Sequence, residues 1–149
     1  MKKKIVPRKA ADFRRYVRDI RDVARKAAGA EMPDGTIYIG LSPETGKPLY
    51  AMPDDAFEGS FDGMAADYEV LCDKSPHGHE DWRLPTQAEL TLLWQNRREG
   101  GLRGSFNDSA RYWAGEIGLT GAWQLDFTSG KRIYNAWNAT GRARYVRSR

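Results

Sequence analysis

Cysteine is almost absent from this sequence, which limits both its chemistry and the ways it can be stabilised. Cys72 is the single cysteine among 149 residues, so no disulfide can form within the chain. The fold therefore does not depend on an oxidising compartment, and a site built on a cysteine pair is excluded. Because Cys72 follows the apolar face of a predicted helix, we interpret it as a small buried hydrophobic residue.

Long hydrophobic runs are absent too. No stretch of about 18 apolar residues occurs, so we expect no membrane span. The opening Met-Lys-Lys-Lys resembles the start of a signal peptide, but charged residues interrupt the segment that would have to be apolar. We therefore expect synthesis in the cytoplasm without a signal peptide.

Patterns typical of metal and catalytic sites are also missing. His77 and His79 are the two histidines, and no pair of further ligands accompanies them, so we interpret their loop as a turn whose polar side chains satisfy local backbone. The aspartates lack the spacing of a calcium loop, and no Ser/His/Asp or Cys/His set stands out. We predict no metal, no cofactor and no enzymatic activity.

The charge is present in unequal blocks. Residues 1–31 hold eleven basic and four acidic residues, a net +7, whereas residues 32–130 hold seven basic and sixteen acidic residues, a net −9. Residues 131–149 hold six basic residues and no acid. Two interpretations stay open: the basic ends lie against the acidic middle, or they contact nucleic acid or an acidic protein.

An amphipathic helix is predicted over residues 10–28, with Gly29 as its C-terminal cap. Its apolar stripe could pack on the domain, on a partner or on a second copy. Its basic face, which we expect to anchor the protein to an acidic partner, consists of Arg14, Arg15, Arg18, Arg21 and Arg25. We expect a basic N-terminal helix or arm over residues 1–31 and one domain over residues 32–149.

The most informative stretch, residues 81–90, predicts a strand that runs straight into a helix. Trp82 and Leu84 alternate with Arg83, and the proline that follows stops the strand. Thr86 and Glu89 have the spacing of a capping box, so a helix begins there and continues to about residue 97.

Short strands and one further helix account for the remaining chain. Alternating apolar residues and turn residues predict a hairpin over residues 36–52, and the three- and four-residue spacing of apolar residues predicts a helix over residues 60–72. Further strands are predicted at residues 111–114, 122–127, 132–135 and 142–147. The pattern indicates an α+β domain with short antiparallel strands and two helices, preceded by the basic helix.

The aromatic residues of the second half divide into two groups. We predict that Trp82, Trp94, Trp113, Trp123 and Phe127 belong to the core. Aromatic and asparagine side chains share the polar segment that follows, a composition typical of recognition loops. The predicted ligand-contacting residues there are Tyr134, Asn135, Trp137 and Asn138. The alternative is a loop whose tryptophan folds back on the core.

Several of these motifs occur in one order. Asp81-Trp82-Arg83-Leu84-Pro85-Thr86 precedes Phe106-Asn107 and Tyr112-Trp113, and the chain closes with Arg144-Tyr145-Val146-Arg147. In this order residues 32–147 resemble the C-terminal domain family of the Legionella collagen-like adhesin, which has bacterial and phage members. The resemblance implies a C-type-lectin-like fold and a non-enzymatic binding or adhesion module with a protein or glycan ligand.

Two departures accompany the resemblance. Ala114-Gly115 stands where the family has two serines, and Tyr145 stands where it has a cysteine. Both changes remove polar or thiol chemistry, which argues against a shared catalytic site. The related formylglycine-generating enzymes use a cysteine pair that this chain lacks.

Two further functions stay open as hypotheses. The first is a structural or interaction protein of a phage or prophage particle, assembled through homo-oligomer contacts or contacts with other virion subunits. The second is a nucleic-acid-binding accessory protein that uses both basic ends.

Overall fold

A computed structural model describes residues 10–15, 17 and 28–148. Residues 10–15 and 17 are helical, and Arg14 and Arg15 of the predicted basic face are exposed there. Arg18, Arg21 and Arg25 lie outside the described residues, as does most of the predicted helix. Residues 28 and 29 form a turn that leads into the domain, and Gly29 has a φ of 87°.

The domain contains two α-helices, two short 3-10 helices and eight strands among the described residues. The α-helices are α1 (Phe61–Asp73) and α2 (Gln87–Gln95), and the 3-10 helices are Pro76–Gly78 and Gly100–Leu102. The strands are β1 (Ile37–Leu41), β2 (Pro48–Ala51), β3 (Phe57–Gly59), β4 (Arg111–Ile117), β5 (Gly121–Asp126), β6 (Lys131–Ala136), β7 (Gly141–Ala143) and β8 (Val146–Ser148).

The strands form two sheets. One sheet has the order β1-β2-β8, and the other has the order β3-β7-β4-β5-β6. Neighbouring strands are antiparallel except β4 and β7, which are parallel. The protein is therefore α+β with two mostly antiparallel sheets, as the sequence pattern predicts.

Both helices begin where local sequence signals place them. The Ser60 hydroxyl accepts a hydrogen bond from the Gly63 N–H at the start of α1. At the start of α2, the Thr86 hydroxyl accepts from the Glu89 N–H and the Glu89 carboxylate accepts from the Thr86 N–H, which completes the predicted capping box.

The core has two clusters of buried side chains. In the first, Leu90 and Leu93 of α2 pack against the three-stranded sheet and against Tyr112 and Leu125 of the five-stranded sheet. In the second, Trp82 and Tyr145 pack with Met52, Met64 and Ala143, and residues of α1 cover them. Among the predicted core aromatics, Trp82, Trp113 and Phe127 are buried, and Trp94 and Trp123 pack half-buried against the first cluster.

The predicted closing strand over residues 142–147 is wrong in one respect. The chain forms two short strands there, β7 in the five-stranded sheet and β8 in the three-stranded sheet, and it crosses between the sheets at Arg144 and Tyr145. Four consecutive residues, 143–146, are fully buried because they lie between the two sheets. A further strand, β3, is not predicted from the sequence; it pairs with β7 over three residues.

The predicted corner at residues 81–90 is stabilised by one buried carboxylate. Arg83 forms a backbone bridge with Val146, and its guanidinium donates to both oxygens of Glu89 at 2.6 and 3.0 Å. The Ser42 hydroxyl donates to the same carboxylate at 2.5 Å. Burial alone would raise the pKa of the Glu89 carboxyl, but the hydrogen bonds from Arg83, Ser42 and the Thr86 N–H outweigh it and lower the pKa to about 2.

The free energy of unfolding should therefore fall in acid, because protonation removes the charge of Glu89. Because its folded pKa is depressed below its ordinary value of 4.5, its contribution is complete above that pH and is lost as the pH falls towards about 2. Urea unfolding midpoints between about pH 6 and pH 2.5 should decrease, and Glu89→Gln should flatten that decrease. Parallel pH profiles for the two proteins would contradict this assignment.

Two local interpretations need correction. Cys72 is half-buried, since it lies at the boundary between the packed and exposed sides of α1.

The two histidines do not satisfy their own turn: His77 donates to the Asp34 carbonyl oxygen at 2.9 Å, and His79 donates to the Asp34 carboxylate at 2.6 Å. The hydrogen bond from His79 holds the pKa of the Asp34 carboxyl well below its usual range. These contacts join two loops that are distant in sequence.

No helix in the described part of the chain is long and apolar enough to cross a membrane.

Candidate functional site

A polar cleft opens where four strands of the five-stranded sheet begin or end. The antiparallel and parallel registers place the starts of β4 and β7 beside the ends of β3 and β5. The cleft has a volume of about 480 Å³. Its described lining residues are Glu58, Asn107, Ser109, Ala110, Arg111, Asp126, Thr128, Thr140, Gly141 and Arg142.

Two loose ion pairs face this cleft. Arg111 lies 3.9 Å from Asp126, and Arg142 lies 3.4 Å from Glu58. Arg111 is 46 % exposed and Glu58 is 59 % exposed, so solvent competes for both pairs. These side chains therefore keep donor and acceptor capacity that a bound molecule can use, and opposite charges balance one another across the cleft.

A network of hydrogen bonds centred on Asp55 holds the lining residue Arg142, and we call this network the base of the cleft. Asp55 accepts hydrogen bonds from Arg144 on one oxygen, at 2.8 and 3.1 Å, and from Tyr112 and Arg142 on the other, at 2.8 and 3.0 Å. Burial raises the pKa of the Tyr112 hydroxyl, which keeps it protonated as a donor. The network fixes the position of Arg142, which connects the base to the open part of the cleft.

Arg144 is the most completely bonded side chain of this network. It is fully buried, and besides Asp55 it donates to the Met52 carbonyl and to the hydroxyl and carbonyl oxygens of Ser105. All five guanidinium N–H groups are thereby used. The guanidinium also lies 4.0 Å above the centre of the Phe106 ring. Arg144 therefore supports the cleft and contacts nothing that enters it.

The predicted ligand loop is separate from this cleft. Tyr134 lies on β6, 39 % exposed, and its hydroxyl accepts from the Thr120 N–H while its ring packs against Trp123. Asn135 lies on the opposite face of the sheet, where its amide donates to Gln124. The two residues therefore cannot contact one ligand on one face.

The other two predicted residues follow β6. Trp137 packs its ring against Phe61 at 5.3 Å between centroids, and its carbonyl accepts from the Phe61 N–H. Asn138 is exposed at the turn. The lining residues described for the cleft include none of the four, but Thr140 and Gly141 at the end of the same segment do line it. Ligand contact through the four stays a prediction.

The C-terminal basic block lies partly against the acidic middle of the chain. Arg142 and Arg144 pair with Asp55, and Arg147 donates to both oxygens of Asp81 at 2.7 and 3.1 Å. The internal interpretation of the charge pattern therefore describes these three arginines. Lys131 and Arg132 of β6, by contrast, are exposed.

No group of three or more His, Cys, Asp or Glu side chains arranged to hold a metal ion is found among the described residues.

The sequence does not predict the lining residues of the cleft, because they are close to one another only in three dimensions. Glu58, Arg111 and Asp126 lie on β3, β4 and β5. The parallel contact between β4 and β7 brings these strands together, although β4 and β7 are not consecutive in the sequence. One local signal was present: Asp126-Phe127-Thr128 ends an alternating strand in a polar turn, and two of these residues line the cleft.

No protein-family model matches the chain, and a comparison with curated proteins finds no match.

Proposed function

We propose that this protein is a non-enzymatic binding module whose polar cleft takes a hydroxyl-rich ligand, a glycan. The observation that carries the proposal is the lining of the cleft: two loose ion pairs surrounded by hydroxyl and amide side chains. Sugar hydroxyls both donate and accept hydrogen bonds, and the cleft offers both kinds of partner at one strand edge. A protein ligand is the alternative occupant.

The base of the cleft supports a binding role over a catalytic one. Asp55, Tyr112 and Arg144 use their hydrogen-bonding groups on one another, so they hold the cleft in shape. A preorganised polar surface loses little conformational freedom when it binds a ligand.

The proposal includes a C-type-lectin-like scaffold, on which function resides in the surface and not in the fold. The resemblance of residues 32–147 to the adhesin domain family supports it, as do the two short-stranded sheets and two helices. The basic N-terminal segment would serve as an anchor to an acidic partner, and the exposed positions of Arg14 and Arg15 suit that role.

A role inside a phage or prophage particle is the second proposal, because the family resemblance includes phage members. The nucleic-acid hypothesis has less support, since Arg142, Arg144 and Arg147 are paired with acidic residues of the same chain.

The cleft can be tested with an immobilised array of neutral, uronate-containing and sulfated glycans. The labelled protein should be retained by a related group of saccharides. Arg111→Ala should lower the affinity for them about tenfold or more, since a hydrogen bond to a charged donor contributes about 1.5–3 kcal/mol. The fold should survive, because the Arg111 ion pair is long and exposed.

Arg98→Ala is the matched control. Arg98 is exposed and does not belong to the described cleft lining, so its loss should leave retention unchanged. Absence of retention on every saccharide class, or an equal loss in both variants, would contradict a glycan site in the cleft.

A further inference from the structure

β6 is an edge strand of the five-stranded sheet, and among the described strands it pairs only with β5. Its register with β5 is continuous over six residue pairs, without a bulge, and the strand contains no proline. In such a strand every second residue directs its N–H and C=O away from the neighbouring strand. A long regular edge of this kind can accept an added strand.

The C-terminal half of this edge lies beside exposed apolar side chains. The turn between β4 and β5 contacts β6, since the Tyr134 hydroxyl accepts from the Thr120 N–H. Leu119 in that turn is 99 % exposed, Ile117 is 61 % exposed and Tyr134 is 39 % exposed. Apolar side chains grouped at a surface in this way indicate a contact site.

The N-terminal half of the edge is basic. Lys131 and Arg132 are both exposed, and neither forms an ion pair with any residue that the structure describes. They differ in this from Arg142, Arg144 and Arg147 of the same basic block, whose charges are balanced within the chain. Two cations that form no ion pair with a described residue therefore adjoin an apolar patch along one strand edge.

We propose that the β6 edge binds an extended, acidic segment of a partner protein as an added strand. Acidic side chains of that segment lie against Lys131 and Arg132, and its apolar side chains cover Leu119 and Tyr134. Main-chain hydrogen bonds supply affinity, and the two halves of the edge select for charge and for apolar side chains. No residue of β6 is among the described lining of the cleft, although Lys131 is the cross-strand partner of the lining residue Asp126, so this site does not rest on the glycan proposal.

A second copy of this chain fits the edge less well. Antiparallel pairing of two β6 strands about a two-fold axis would place Lys131 of each strand opposite Ala136 of the other. The cations would then face the apolar half of the edge and meet no acid. Charge complementarity therefore favours an acidic segment as the occupant.

The test uses an eight-residue peptide in which valine and threonine alternate in the first half and the second half carries two consecutive glutamates, which in an antiparallel added strand lie opposite Lys131 and Arg132 on the two faces of the sheet. Added to the full-length protein, it should shift backbone amide resonances of residues 131–136 and 117–120. A peptide with lysine in place of glutamate should bind about tenfold more weakly or worse. Combining Lys131→Glu with Arg132→Glu should reverse that preference, with other amide resonances unchanged.

Equal binding of the two peptides, or shifts confined to other surfaces, would overturn the proposal. Shifts at residues 131–136 on concentrating the protein alone would also overturn it, because they would show a second copy at the edge. Glu58→Gln is the control variant: it alters the cleft from β3, at the opposite edge of the sheet, and should leave peptide binding unchanged, whatever the outcome with glycans.

Discussion

Asp55→Ala should lower the free energy of unfolding by about 3–5 kcal/mol, the largest effect expected of a single substitution here. Among the described residues, Asp55 is the one carboxylate that forms an ion pair with Arg144, whose side chain is fully buried. Without it the guanidinium stays buried with its charge uncompensated, and Tyr112 and Arg142 lose an acceptor. Urea unfolding followed by tryptophan fluorescence measures the loss.

Asp108→Ala is the matched control for this prediction. Asp108 is 61 % exposed and pairs with Arg97 at 3.3 Å, so its removal should cost no more than about 1 kcal/mol. Comparable losses of unfolding free energy in the two variants would show that the Asp55 network stabilises the fold no more than an exposed ion pair does. The cleft would then lack the rigid base that the binding proposal assumes.

Glu89→Gln should have the second largest effect, a loss of about 2–4 kcal/mol at neutral pH. The wild-type carboxylate is fully buried and accepts hydrogen bonds from two nitrogens of the Arg83 guanidinium, the Ser42 hydroxyl and the Thr86 N–H. The glutamine side chain has an NH2 donor in place of one acceptor oxygen. That NH2 group would face donors of Arg83, Ser42 or Thr86. At least one donor is therefore left unsatisfied, and the charge that pairs with Arg83 disappears.

Glu116→Gln provides the comparison at the same helix. Among the described residues, the Glu116 carboxylate accepts a hydrogen bond only from the Gln87 N–H, at the first turn of α2, and Glu116 is half-buried. Its substitution should cost about 0.3–1 kcal/mol, the size of a helix N-terminal charge effect. If Glu89→Gln costs as little as Glu116→Gln, the corner at residues 81–90 is not the stabilising centre that its contacts indicate.

Local chemistry explains which parts of the fold the sequence predicts well. Ser60 and Thr86 begin helices because each accepts a hydrogen bond three residues along the chain, a relation visible in the sequence. The hairpin of β1 and β2 is likewise specified by residues near one another. Such features need no knowledge of the distant chain.

The crossing between β7 and β8 shows where local reasoning fails. Arg144 stands among alternating residues at a basic end, so the pattern favours an exposed strand. Its burial depends on Asp55, which is 89 residues away in sequence. No local pattern carries that pairing, and for the same reason the cleft, which the chain assembles from four strand ends, could not be predicted.

The most direct measurement of the binding proposal is amide resonance mapping with the saccharide that the array retains best. Binding in the cleft predicts shifts at residues 107–111, 126–128 and 140–142, which line it or adjoin its lining. Resonances of residues 134–138 should stay unchanged, since Tyr134, Asn135, Trp137 and Asn138 are not among its described lining residues. Shifts centred on residues 134–138, with residues 107–111 and 126–128 unaffected, would contradict the assignment of the cleft as the ligand site.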